Sequence, residues 1–180
     1  MAEVETKLLA IFQIVNDWLK YAETKNGGLL VACGAAAAAI AGYLSQAPNL
    51  SSGWKKLLLT SIAFFILSSI VVLISFLPRI NANYLLSLLE SWGKPSDEDN
   101  FYYFGHLCKY SDDALLDRLV SLYFGNSSME RTREQRDLAC QIVINSRLTV
   151  VKLRVFTLAA CIALIAGVLL VAGLAYEAIF

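Results

Sequence analysis

The chain has 180 residues, is 57% hydrophobic, and carries 15 basic against 15 acidic side chains, for a net charge of zero. A soluble globular domain is about 45–50% apolar, so the excess speaks against a wholly soluble fold. The balanced charge supplies no global field to attract nucleic acid or anionic lipid.

The first predicted element is an amphipathic helix over Val4–Asn26. Leu8, Ile11, Phe12, Val15, Trp18, Leu19 and Ala22 recur at spacings of three and four, with Asn16, Lys20 and Glu23 between them. Such a stripe ordinarily packs on a neighbouring helix or lies on a membrane surface. Glu3 and Glu5 stand where a signal peptide would be basic, so no cleaved leader is expected.

Gly27–Leu44, Leu57–Leu77 and Val155–Tyr176 contain no Asp, Glu, Lys or Arg. Each has about the 17–25 residues that span a hydrocarbon core, and lipid leaves such a segment only the helical state. The first is the weakest, because Ala35–Ala39 is only mildly apolar. Pro48, Asn49 and Gly53 mark a turn within Ser45–Gly53, and Pro78 ends the second span. Gly34, Ala38 and Gly42, and likewise Ala159, Ala163 and Gly167, form small-xxx-small patterns that permit close helix approach.

Beyond the second span, Ile80–Trp92 reads as a short amphipathic helix and Gly93–Asn100 as an acidic loop. A helix from about Ser111, with Asp112 and Asp113 in its first turn, ends near Gly125. Another begins after Ser127 and Ser128, and the absence of proline from Glu130 to Phe180 allows one helix to run through the last span. The expected organisation is an all-α integral membrane protein with three transmembrane helices and a small helical cytoplasmic cap. Its parts are an N-terminal helix (1–26), two spans (27–78), the cap (79–154) and a third span (155–180). Lys7, Lys20, Lys25, Arg79, Arg147, Lys152 and Arg154 place the N-terminus and the cap in the cytoplasm, at a cell (inner) membrane.

Little supports catalysis. There is one histidine, His106, and no nucleophile-elbow, metalloprotease, Walker A or dinucleotide fingerprint. Cys33, Cys108, Cys140 and Cys161 show no metal-like spacing and are read as reduced, structural thiols. No cofactor or metal is expected. Asp97–Asp99 and Asp112–Asp113 read as solvated or capping carboxylates.

Two features point to a ligand instead. Phe101, Tyr102, Tyr103, Phe104 and Tyr110, with Gly105 among them, are rings able to stack on nucleobases at about 1–3 kcal/mol each; the plain alternative is an interfacial belt or the cap's own core. Gln141, Asn145, Thr149 and Lys152, spaced four, four and three, share a helix face next to the third span, flanked by Ser146 and Arg147. Polar groups so near an apolar span are costly unless paired or wet. They read either as inter-helix hydrogen bonds in an oligomer or as an anionic site, with Lys152 and Arg147 on phosphate and Asn145 and Gln141 on base edges. Lys25 and Asn26, at the mouth of the first span, are candidates to complete it.

The same residues carry a family likeness. Asn16-Asp-Trp-Leu-Lys-Tyr-Ala-Glu-Thr-Lys25-Asn-Gly-Gly, then Asn100-Phe-Tyr-Tyr-Phe-Gly105 with Lys109-Tyr-Ser-Asp-Asp-Ala-Leu-Leu, then Gln141-Ile-Val-Ile-Asn145-Ser-Arg147 with Lys152, resemble in order three stretches of the Pycsar-effector membrane family. Asp112-Asp113 stands where the family is Glu-rich, Arg147 where Lys is common, and the Ala-rich first span is this chain's own. The resemblance implies an antiviral membrane effector of bacteria. It answers a nucleotide signal made by a partner pyrimidine cyclase, or by another nucleotidyltransferase making short DNA oligomers as in the Hailong type, and disrupts the inner membrane. It also implies Lys25, Phe104, Gly105, Tyr110, Asn145, Ser146 and Lys152 as ligand positions. Because three helices cannot enclose a wet pore, a homo-oligomeric channel is the expected form. The alternatives are a non-conducting anchor for a cytoplasmic partner enzyme, a membrane enzyme using His106, and, with no inverted repeat to support it, a small transporter.

Overall fold

The computed structural model describes residues 2–47, 50–77, 92–125 and 131–179. Five helices lie in this part: α1 (Ala2–Gln46), α2 (Ser52–Phe76), α3 (Phe104–Leu107), α4 (Asp112–Phe124) and α5 (Arg133–Ile179). No strand occurs among the described residues. The fold is therefore all-α, and α1, α2 and α5 are each long and apolar enough to cross a membrane. The expected amphipathic helix over Ile80–Trp92 falls almost wholly outside the described residues, as do Pro78, Ser127 and Ser128.

Local chemistry sets the helix ends. α1 continues for 45 residues through Gly27 and Gly28. Each glycine costs about 1 kcal/mol in a water-exposed helix, but in lipid a broken backbone is costlier still. α2 starts at Ser51, whose hydroxyl accepts from the Trp54 N–H at 3.3 Å. It stops at Leu77, held at φ −63°, ψ 132°, the extended conformation that a following proline imposes. The Ser111 hydroxyl caps α4 through the Ala114 N–H, and Gly125, at φ 64°, ends it in the left-handed region that glycine enters at no steric cost. α5 opens on a reciprocal capping box: the Gln135 N–H donates to the Thr132 hydroxyl at 3.2 Å, and the Thr132 N–H to the Gln135 side-chain oxygen at 3.3 Å.

The chain forms two compact units, Met1–Glu23 with Ile80–Leu153, and Thr24–Arg79 with Arg154–Phe180. In the first, Val4, Leu8, Ile11 and Val15 of α1 pack on Leu107 of α3, on Leu115, Leu116 and Leu119 of α4, and on Ala139, Ile142 and Val143 of α5. Burying each large aliphatic contributes about 1.5–3 kcal/mol where the alternative is water.

In the second unit the buried residues of α2 are Trp54, Leu58, Ser61, Phe65, Ser68, Val72 and Ser75. They alternate steps of four and three, the 3.5-residue repeat of left-handed helix packing. One row of that seam is Trp54 followed by three serines, and their small side chains let backbones approach where lipid provides no hydrophobic drive. The Ser68 hydroxyl donates to the Ala159 carbonyl at 2.8 Å and sits 3.5 Å from the Cys33 thiol. Fourteen residues earlier on α2, the ring of Trp54 lies where a side chain at Gly173, fourteen residues later on α5, would project. α2 and α5 are thus antiparallel and in matched register over two heptads. On α1, a Cβ added at Gly34 or Gly42 would meet nothing within 4 Å among the described residues, so that small-residue face is open to them.

Candidate functional site

The described cross-helix contacts of the predicted polar stripe lie in the first unit. At about 100° per residue, Gln141, Asn145, Thr149 and Lys152 of α5 form one stripe, and the two described contacts of that stripe with another helix are to α1. The Asn145 Nδ2 donates to the Asn16 Oδ1 at 2.7 Å. Lys152 Nζ lies 3.0 Å from Glu23 Oε1, the lysine side chain 15% and the glutamate 47% exposed. Both pairs advance by seven residues on both helices, so α1 and α5 run parallel here. Thr149 donates back to the Asn145 carbonyl at 2.8 Å, a bond within α5, and Gln141 stays exposed. Ser146 is fully buried, and its hydroxyl has no hydrogen-bond partner among the described residues.

Arg147 is placed differently. It lies about 200° around α5 from Asn145 and faces the loop after α3. Its Nε donates to the Cys108 carbonyl at 3.1 Å and a terminal nitrogen to the Tyr110 carbonyl at 2.9 Å, with the Trp92 ring 5.6 Å away. The planar fork of arginine suits two adjacent acceptors, and here they are backbone carbonyls at the end of a helical turn.

The aromatic segment divides between core and surface. Phe101, Phe104 and Tyr110 are buried. Phe101 packs against Tyr110 and Tyr123, and Phe104 lies between Trp18 and Tyr103, centroids 5.3 and 4.8 Å away. Tyr102 and Tyr103 are exposed; Tyr102 accepts from Lys7. Gly105 allows the Tyr103 ring to fold back, since a Cβ there would come within 2.5 Å of it. Trp18, read from the sequence as part of a packing stripe, extends these contacts along α1 to Tyr21 at 5.7 Å.

One carboxylate differs from its expected role. Asp99 is not a solvated acid; its side chain is 3% exposed. It accepts from Lys109 at 2.6 Å, from the Ser96 N–H at 2.8 Å and from the Tyr110 hydroxyl at 3.0 Å. Burial works to raise its pKa, but these donors outweigh it and hold the carboxyl below its usual range. Burial, reinforced by Asp99, pushes the Tyr110 phenol up to about 12. His106 accepts the Asn100 N–H on Nδ1 at 2.8 Å, an ordinary loop contact.

Lys25 and Asn26 belong to the second unit, where Lys25 Nζ lies 5.0 Å from the Phe156 ring and Asn26 is fully buried. Asn16 and Glu23 are the partners that spacing alone did not single out. Their signal is the seven-residue interval that matches the interval from Asn145 to Lys152.

A model of the Pycsar effector protein domain matches residues 7–178. The chain belongs to that family. With three helices long and apolar enough to span a bilayer, it is an antiviral membrane effector. Pycsar effectors respond to cyclic-nucleotide signals. Comparison with curated proteins and with solved structures gave no match.

Proposed function

We propose that the protein is a nucleotide-gated effector of anti-phage defence that acts as a homo-oligomeric channel in the bacterial inner membrane, with its N-terminus in the cytoplasm. The observation that carries this reading is the pair of polar contacts, Asn16–Asn145 and Glu23–Lys152, on two helices that also supply membrane spans. An amide and an ammonium on one helix face suit a base edge and a phosphate. α1 and α5 each contribute without interruption to both units. A ligand that binds differently to two arrangements of α1 and α5 would bias the spans, and only differential affinity can do so. The open Gly34–Ala38–Gly42 face supports close packing against a neighbouring subunit.

In this reading Lys152 and Asn145 are the principal ligand contacts, with Gln141, Ser146 and Thr149 beside them. Arg147, Phe104, Gly105 and Tyr110 shape the wall of the first unit, and Lys25 and Asn26 act where α1 enters the second. The test is ion flux from liposomes holding the purified protein, with and without cyclic mononucleotides and short oligonucleotides. Flux that one ligand switches on or off is the expected result. A protein that binds a partner cyclase or nucleotidyltransferase yet passes no ion under any condition is a membrane anchor, and the channel reading fails.

A further inference from the structure

We infer that Glu23 and Asn16 are internal stand-ins for the ligand: they hold the donors of Lys152 and Asn145 in the resting state, and the nucleotide must displace them. The inference rests on the proposed ligand site and deepens it to a mode of regulation. Each α1 partner presents the acceptor that its α5 donor would meet on a nucleotide. The Glu23 carboxylate is an anionic oxygen pair on an ammonium, as a phosphate would be. The Asn16 Oδ1 is an amide carbonyl on an amide N–H, as the carbonyl of a base edge would be. Seven residues separate the two contacts on each helix, about 10 Å at the helical rise, a span that the long axis of one nucleotide can bridge.

The two contacts are also unlike packing contacts. The Glu23–Lys152 pair sits at the last turn that α1 and α5 share within the first unit, next to the residues where both pass into the second. Lys152 is mostly buried while Glu23 is about half exposed, so the carboxylate can swing into water at little cost and leave the ammonium to an entering anion. An exposed carboxylate forms a weak pair, which suits a contact built to be exchanged. Displacing both acceptors breaks these two polar ties between α1 and α5, so ligand entry loosens the alignment of the two helices. The ligand opens the contact and thereby changes the state of the spans.

The test compares wild type with Glu23→Gln in the full-length protein, in bilayer nanodiscs for binding and in liposomes for flux, using cyclic AMP, cyclic GMP, cyclic CMP, cyclic UMP and short oligodeoxynucleotides as probes. Gln keeps a hydrogen-bonding carbonyl but gives up the charge that competes for Lys152. The half-saturating concentration of the best probe should fall about fivefold, in keeping with a partly exposed ion pair. Salt should weaken binding more steeply in E23Q, because binding then forms an ion pair rather than exchanging one. Unchanged affinity and salt slope in E23Q, with wild type responding to a probe, overturn the stand-in role and leave the channel reading intact. A wild type silent to every probe beside an E23Q that leaks without ligand overturns the stand-in role together with the nucleotide reading, and leaves the pair as a latch only. Silence of both, in binding and flux, overturns both. Should E23Q fail to assemble, the charge exchange Glu23→Lys with Lys152→Glu restores the pair; it should melt like wild type and bind no probe, and retained binding overturns the inference.

Discussion

Lys152 meets Glu23 at 3.0 Å one heptad beyond the point where Asn145 meets Asn16 at 2.7 Å. Two polar pairs at the same interval on two parallel helices define a register as well as a contact. A slip of either helix by one residue, about 1.5 Å and 100°, would break both at once. The pairs therefore specify how α1 and α5 align in a way that the aliphatic core beneath them, tolerant of exchange among Leu, Ile and Val, does not.

That argument makes the amide pair measurable. Asn145→Ala leaves the half-buried Asn16 oxygen without its donor and should cost about 1–2 kcal/mol. Adding Asn16→Ala should restore part of that loss, because removing both partners leaves no orphaned acceptor. Thermal unfolding of the two single variants and the double variant gives the coupling. Strict additivity would mean that the pair contributes nothing to the alignment.

Arg147 should prove structural in its kinetics of failure. Arg147→Lys keeps the charge but cannot reach the Cys108 and Tyr110 carbonyls as a fork. It should destabilise the first unit by about 1–3 kcal/mol and speed proteolysis of the segment around α3. Its ligand affinity, measured below the melting range, should stay near wild type. A protein with wild-type melting and lost binding would instead place Arg147 on the ligand.

The contact of Trp54 with Gly173 predicts a steric failure. A Cβ at Gly173 would fall 1.8 Å from the Trp54 ring, and both residues are buried in the second unit. Gly173→Ala should destabilise by about 1–3 kcal/mol through overpacking and shift the Trp54 fluorescence. Trp54→Leu in the same chain should recover much of the loss. A neutral Gly173→Ala with unchanged fluorescence would show that the two helices do not pack at this register.

Asp99 and Tyr110 predict opposite pH limits for the loop before α3. The folded pKa of Asp99 lies below its usual value near 3.8, so its contribution is full above that value and is lost as pH falls through the lower, folded value. Tyr110, raised from 10 to about 12, contributes fully below pH 10 and loses its contribution as pH climbs through 12. Asp99→Asn should flatten the acid limb of a melting-temperature profile and lower the pH at which the Tyr110 phenolate appears by absorbance. A phenol that titrates unchanged in Asp99→Asn would separate the two groups.

Much of this protein is legible in the sequence. Charge-free runs of membrane length dictate three spanning helices, because lipid leaves a backbone no other hydrogen-bonded state. Ser111 and Gly125 announce the ends of α4 through rules that act within four residues, and three motif stretches in order announce the family. Partners are what a local rule cannot supply. Nothing near Asp99 in the chain says that Lys109 and Tyr110 will turn back to bury it. Helical periodicity sets Arg147 apart from the Asn145 stripe, yet only the packed α3 loop shows which carbonyls it serves. The polar stripe on α5 is visible as a cost to be met; that α1 of the same chain meets it, with Asn16 and Glu23, is decided by the tertiary register, because which donor finds which acceptor depends on helices more than a hundred residues apart in sequence.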